Sequence, residues 1–137
     1  MAHWLLKSEP NSWSWSDQVA AGRKGTFWNG VRNHQAKLNL MAMKVGEEAF
    51  FYHSNEGKEI VGVIEIIKPY YPDPTDFTGK FGMVDVRAKK SLKKPVSLEE
   101  IKADPRLKDM VLVNNSRLSV QPVSDEEWEI ICAEGAV

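Results

Sequence analysis

The chain has 137 residues, 42% hydrophobic and 27% charged, with 18 Lys and Arg against 19 Asp and Glu and a formal net charge of -1. That balance suits one globular domain with enough chain for a core, and it lacks the basic excess that would announce a polyanion partner, leaving room only for a local basic cleft. One cysteine, Cys132, rules out an internal disulfide and argues against cysteine-ligated zinc; with no apolar run near the roughly 18 residues of a bilayer span and no signal peptide, a cytoplasmic protein without membrane contact is expected.

Residues 3–8 (HWLLKS) are apolar and aromatic, stop at Glu9-Pro10, and predict a first strand. Residues 11–22 predict a short helix entered through Ser and Asp caps and closed by Gly22, and 22–28 a loop that becomes extended near Thr26-Phe27. A helix is expected over 31–43, with Val31, Leu38, Met41 and Ala42 on one face and Gly46 just beyond its end. Residues 47–54 and 58–68 predict two strands joined by a turn at 55–57, the second so continuously apolar that both its faces should be buried. The proline-rich segment 69–79 is expected to be an irregular, functional loop. Strand returns over 81–90, and a helix with a Ser97 and Glu100 capping box over 96–105. An extended piece over 112–123 turns at Asn114-Asn115. A last helix over 124–135 carries a second box, Ser124 and Glu127, and an inner face of Trp128, Ile131 and Cys132. Clustered helices around a central hairpin indicate an α+β fold with a curved mixed sheet.

Catalytic and metal templates are missing: there is no phosphate loop, nucleophile elbow, dinucleotide fingerprint, His-x-x-x-His or Cys-x-x-Cys. Four of the five tryptophans, Trp4, Trp13, Trp15 and Trp28, fall within the first 28 residues. Tryptophan serves both cores and sites that stack on a flat ligand, and two or three of the five are expected in the core. The corner Trp28-Asn29-Gly30-Val31-Arg32-Asn33 combines a stacking plane, a permissive glycine, helix-start amides, a planar cation and an amide suited to a base edge. Its bland reading is a core tryptophan, a turn and a surface charge. Tyr52, His53 and Ser54 end a strand and could bond a polar ligand or merely face core and turn. Arg117 and Ser119 share one side of an extended piece, where Arg117 could hold a phosphate or a carboxylate of the fold. The run 87–94 (RAKKSLKK) is a solvated edge or a contact for a sugar-phosphate backbone.

These blocks, in this order, resemble the EVE domain family of the PUA-like superfamily. The resemblance rests on WLLKSEP (4–10), WNGVRN (28–33) with QA (35–36), FFYHS (50–54), IVGVIEI (60–66), YYPD (70–73), PVSLEEIK (95–102) and RLSVQPVSDEEW (117–128). It implies a single domain over 1–137: an α+β PUA-like pseudo-barrel, a twisted, mostly antiparallel sheet flanked by helices. The family is similar to YTH domains, readers of methylated adenine in RNA, and more distantly to SRA domains, readers of methylated cytosine in DNA. The function implied is a non-catalytic reader of a modified base in nucleic acid, with modified cytosine in DNA favoured over modified RNA, and no cofactor or metal. Lys7 and Ser8 match the "KS" near the YTH base pocket, Trp28 the first cage tryptophan, and Asn29 the small polar residue after it. Trp28 would stack on a flipped base, Asn29 and the Gly30-Val31 backbone would read its edge, and Arg32 and Asn33 would hold polar groups at the rim. Asp73, within the YYPD block, joins the implied ligand set, and a second aromatic wall is expected from Tyr70, Tyr71, Phe77 or Phe81. Two departures stand out: His34 to Leu38 replace the family's common YQARN, and Phe81-Gly82 stands where a tryptophan often precedes the late strand. Stacking contributes roughly 1–3 kcal/mol per base and a buried methyl about 1 kcal/mol, so selectivity of about tenfold per methyl is expected. The rivals are a hydrolase or transferase using His53, Ser54 and a carboxylate in the same pocket, and a sensor of a nucleobase-like metabolite.

Overall fold

The computed structural model describes residues 1–137, in which six strands and five α-helices are formed. The strands are β1 (His3–Ser8), β2 (Thr26–Trp28), β3 (Glu48–His53), β4 (Glu59–Pro72), β5 (Gly82–Ser97) and β6 (Val120–Val123). They form one sheet in the order β2-β5-β4-β3-β1-β6. The β1–β3 pair is parallel, with Lys7 opposite Tyr52, and the other pairs are antiparallel. The helices are α1 (Trp15–Ala20), α2 (His34–Ala42), α3 (Leu98–Ala103), α4 (Val111–Asn114) and α5 (Asp125–Glu134).

The alternation of side chains along each strand divides the apolar residues between two cores, one on each face of the sheet. Trp4, Leu6, Ala49, Phe51, Ile64, Ile66, Val84 and Val86 enter the first, which α2 covers with Ala36 and Leu40. Leu5, Phe50, Tyr52, Ile60, Val63, Leu92 and Val96 enter the second, covered by Ile101 of α3, Leu112 of α4 and Trp128 and Ile131 of α5. Even-numbered positions change face between Ile60 and Ile64 and again between Val86 and Leu92. The β4–β5 register slips in between, which is what a bulge does to alternation. The expected burial of 58–68 on both faces is met in this way. In the second core the Trp128 ring stacks between Phe50, at 3.9 Å, and His3, at 4.2 Å.

Capping boxes set three helix starts: Ser14 with Asp17, Ser97 with Glu100, and Ser124 with Glu127. Several expectations are corrected. The first helix begins at Trp15 rather than residue 11, because 9–13 close a turn in which the Glu9 carbonyl accepts the amides of Ser12 and Trp13, both at 2.9 Å. Helix α2 begins at His34 rather than Val31, since Asn33 caps it. Its inner face is Ala36, Asn39 and Leu40, whereas Leu38 and Met41 are 43% and 51% exposed. Asn39 goes inside because its amide donates to the Val120 carbonyl at 2.7 Å, a pairing that apolar periodicity cannot register. Residues 69–72, expected to be irregular, continue β4, so the loop proper is 73–81. Residues 112–114, expected to begin an extended piece over 112–123, instead belong to the helical turn α4, which starts at Val111.

Candidate functional site

A cleft of about 390 Å³ opens where the end of β1 and the turn after it meet β2. Lys7, Ser8, Glu9, Ser12 and Trp13 line one side, and Thr26, Phe27, Trp28 and Asn29 the other. Its size falls in the small-ligand range of roughly 300–1,000 Å³. Trp28 is mostly buried, its ring edge-on to Phe51 at 5.5 Å, so it offers the cleft a fixed margin. Trp13 is held in three ways. Its indole N–H donates to the buried Gln18 Oε1 at 2.9 Å, its carbonyl accepts from Ser8 Oγ at 2.5 Å, and its amide bonds to Glu9. Gln18 lies on α1, so that helix sets the position of the Trp13 ring. Phe27, 53% exposed, adds a third aromatic surface. The charged residues in the lining are Glu9 and Lys7, whose ammonium turns away to the Ser116 carbonyl. The cleft therefore presents flat apolar surface, three hydroxyls, an amide and one carboxylate, which suits a planar, polar-edged ligand.

Four predicted site residues, Lys7, Ser8, Trp28 and Asn29, thus come together. The Lys7 ammonium donates to the Ser116 carbonyl at 2.6 Å and lies 5.8 Å from the Tyr52 ring centre; burial lowers its pKa.

A second group forms the adjoining corner rather than the cleft lining. The Asp73 carboxylate, fully enclosed, accepts the Gly30 amide at 2.9 Å and Arg32 Nη1 at 3.0 Å on one oxygen. Its other oxygen accepts the amide and hydroxyl of Thr75. Burial alone would raise the Asp73 pKa, but the bonds from Thr75, Gly30 and Arg32 outweigh it and hold it at about 2. Gly30 (φ +83) takes a backbone conformation that other residues rarely adopt. The expectation that the amides just after Gly30 are first-turn donors of the helix is corrected: α2 starts four residues on, at His34, and the Gly30 amide itself is spent on Asp73. Val31 is buried in the first core. Arg32 Nη2 also bonds Thr75 Oγ1 at 3.0 Å, and Asn33 accepts the Ala36 amide at 2.9 Å as the α2 cap.

The remaining predicted residues lie elsewhere. Tyr52 is 3% exposed in the second core, where burial raises its pKa. His53 Nε2 accepts the Trp15 amide at 3.0 Å, and Ser54 donates its amide to the Ser8 carbonyl at 2.9 Å. Arg117 is exposed, while the Ser119 carbonyl accepts the Lys7 amide at 2.9 Å. None of the four candidates for a second wall lines the cleft. Tyr70 packs on the first core, the Tyr71 hydroxyl bonds Asp85, Phe77 is fully exposed, and Phe81 lies 5.9 Å from both Arg32 and Lys37. The aromatic residues that line the cleft with Trp28 are Trp13 and Phe27, which the sequence reading did not single out, nor did it single out Glu9, Ser12 or Thr26. The available signal was Trp-Ser-Trp (13–15) directly after a strand end, hidden there by its assignment to a helix.

The sequence profile described as the EVE domain matches residues 2–134. The chain belongs to the EVE domain family. Among its EVE relatives, thymocyte nuclear protein 1 of Gallus gallus is 41% identical over 161 residues, covering 94% of this chain and 66% of that protein. The chain thus spans just under two thirds of that relative's length. Two solved structures are close in shape. Rpa0253 from Rhodopseudomonas palustris, solved by NMR, has a TM-score of 0.94 at 60% identity, covering 99% of this chain and 94% of that one. The human THYN1 protein, crystallised in complex with 5-methylcytosine-containing DNA, has a TM-score of 0.93 at 37% identity, covering 100% and 99%. The YTH domain of Zygosaccharomyces rouxii MRB1, at 20% identity and a TM-score of 0.59 over 98% and 86%, shares the fold. The expected α+β, PUA-like arrangement of a curved sheet with flanking helices is therefore the fold of this EVE chain.

Proposed function

We propose that this EVE domain is a non-catalytic reader of a modified nucleobase, with modified cytosine in DNA as the favoured ligand. The observation that carries the reading is the cleft: three aromatic residues and a polar edge at one end of the sheet. A flipped base offers the complementary surfaces, two π-faces and a hydrogen-bonding edge. The human relative that matches the whole of this chain is a complex with 5-methylcytosine-containing DNA, which supports the same ligand class here. Base stacking falls to Trp13 and Phe27, with Trp28 as the fixed margin, rather than to Trp28 alone. Ser8 and Asn29 meet the base edge, Lys7 being turned to the Ser116 carbonyl, and the corner of Gly30, Arg32 and Asp73 keeps Asn29 in place.

The catalytic rival loses its base. His53 Nε2 is occupied by the Trp15 amide, and neither His53 nor Ser54 lines the cleft.

The test is a binding titration with short single-stranded and duplex oligonucleotides that differ in one base: cytosine, 5-methylcytosine, 5-hydroxymethylcytosine or N6-methyladenine, in DNA and in RNA. A preference of about tenfold for one modified base, lost in Trp13→Ala and Trp28→Ala, is the expected result. Equal binding of all bases, unchanged in both variants, would refute it.

A further inference from the structure

We propose that Glu9 makes the cleft select a base with an exocyclic amino group, so that it separates 5-methylcytosine from thymine. The inference deepens the base-reader reading and rests on it.

Glu9 and Lys7 are the two charged residues of the lining, but only Glu9 is free to address a ligand. The Lys7 ammonium is drawn to the Ser116 carbonyl and lies beside Tyr52, which belongs to the second core on the other face from Trp28. Glu9 pairs with no cation within ion-pair distance. Its Oε1 accepts Asn55 Nδ2 at 3.2 Å from the β3–β4 turn, which steadies the carboxylate and leaves Oε2 open. Its backbone is fixed just as firmly, since its carbonyl holds the amides of Ser12 and Trp13. The carboxylate is therefore anchored four residues before one stacking ring, in the same cleft as Phe27 and Trp28.

Stacking and methyl burial cannot distinguish 5-methylcytosine from thymine, because the two share ring size and the 5-methyl group. They differ along one edge. Cytosine carries an amino donor at position 4 and a bare nitrogen at position 3; thymine carries a carbonyl and an N–H there. An ionised carboxylate only accepts. It pairs with the amino group of cytosine but opposes the thymine carbonyl lone pair to lone pair, leaving both acceptors unsatisfied once water is excluded. Ser12, Thr26 and Asn29 supply the donors that the other cytosine positions require. A reader of methylated cytosine needs this discrimination, since thymine is abundant and presents the same methyl.

The test is a competition titration with single-stranded DNA oligonucleotides identical except for a central cytosine, 5-methylcytosine, thymine or uracil. The wild-type protein should bind 5-methylcytosine about tenfold or more tightly than thymine, the scale of one good edge contact. In Glu9→Gln the ratio should fall to about threefold or less, because with its oxygen on Asn55 the carboxamide presents its N–H₂, which suits the thymine carbonyl and opposes the cytosine amine. Gln retains an acceptor for Asn55, and an unchanged melting temperature identifies the loss as one of readout. A Glu9→Gln protein that keeps the full ratio overturns the proposal. So does a wild-type protein that prefers 5-methylcytosine to cytosine yet binds thymine equally well, an outcome under which the base-reader reading survives. If wild type binds all four alike and Trp13→Ala changes nothing, that reading itself fails, and the role of Glu9 with it.

Discussion

The Asp73 carboxylate accepts hydrogen bonds from Gly30, Arg32 and both donors of Thr75, and joins the 73–81 loop to the corner beside the cleft. Its pKa of about 2 in the fold lies below the ordinary carboxylate value, so the unfolded chain takes up the proton first as pH falls. The stability it gives is complete above about pH 4 and is lost as the pH drops through about 2. Asp73→Asn should therefore destabilise the protein by roughly 2 kcal/mol at pH 7, the scale of a hydrogen bond to a charged group. The loss should shrink markedly near pH 2, as urea denaturation at the two pH values would report. An equal loss at both would mean that the charge of Asp73 contributes nothing. Arg32 attracts notice in the sequence as a possible ligand cation, but its role becomes clear only with Asp73 in place, since 41 residues separate the two.

At the scale of elements, α1 carries the Trp13 anchor Gln18 and depends on His53 of β3. His53 Nε2 accepts the first amide of the helix, a donor that no residue inside the helix can satisfy. Burial lowers the His53 pKa, with Glu59 pulling weakly the other way. The fold thus favours neutral His53, and the unfolded state protonates first, so this contribution is complete above about pH 6.5 and declines below it. His53→Ala should cost about 1 kcal/mol at pH 8 and should reduce the fall in stability between pH 8 and pH 5.5; a variant with the wild-type pH profile would remove His53 from this role. Local signals located elements well where their cause is local. The boxes at Ser97 and Ser124 mark the starts of α3 and α5, and the turn at 55–57 joins β3 to β4. They failed where the cause is distant: pairing with β5 draws 69–72 into a strand, and the Val120 carbonyl draws Asn39 into the core.

For the whole molecule, one twisted sheet with a core on each face brings residues 7–13 against residues 26–29, and that meeting is the cleft. The family blocks identified the first strand and the Trp28 corner, so half of the cleft was legible in the sequence. The other half was not, because no spacing reveals that the turn after β1 folds over β2. The overall charge of -1 fits the proposed reading, in which one base is gripped and phosphate contacts contribute little. The five indole N–H groups allow this account to be tested at once. In ¹⁵N–¹H spectra, addition of a short DNA strand with one 5-methylcytosine should shift the indole signals of Trp13 and Trp28. Those of Trp4, bonded to Glu47, and Trp128, stacked between Phe50 and His3, should stay in place. Saturable shifts at Trp13 and Trp28, weaker with the cytosine strand, are the predicted result. Unmoved Trp13 and Trp28 signals under conditions where the strand binds would place the base elsewhere and contradict the account.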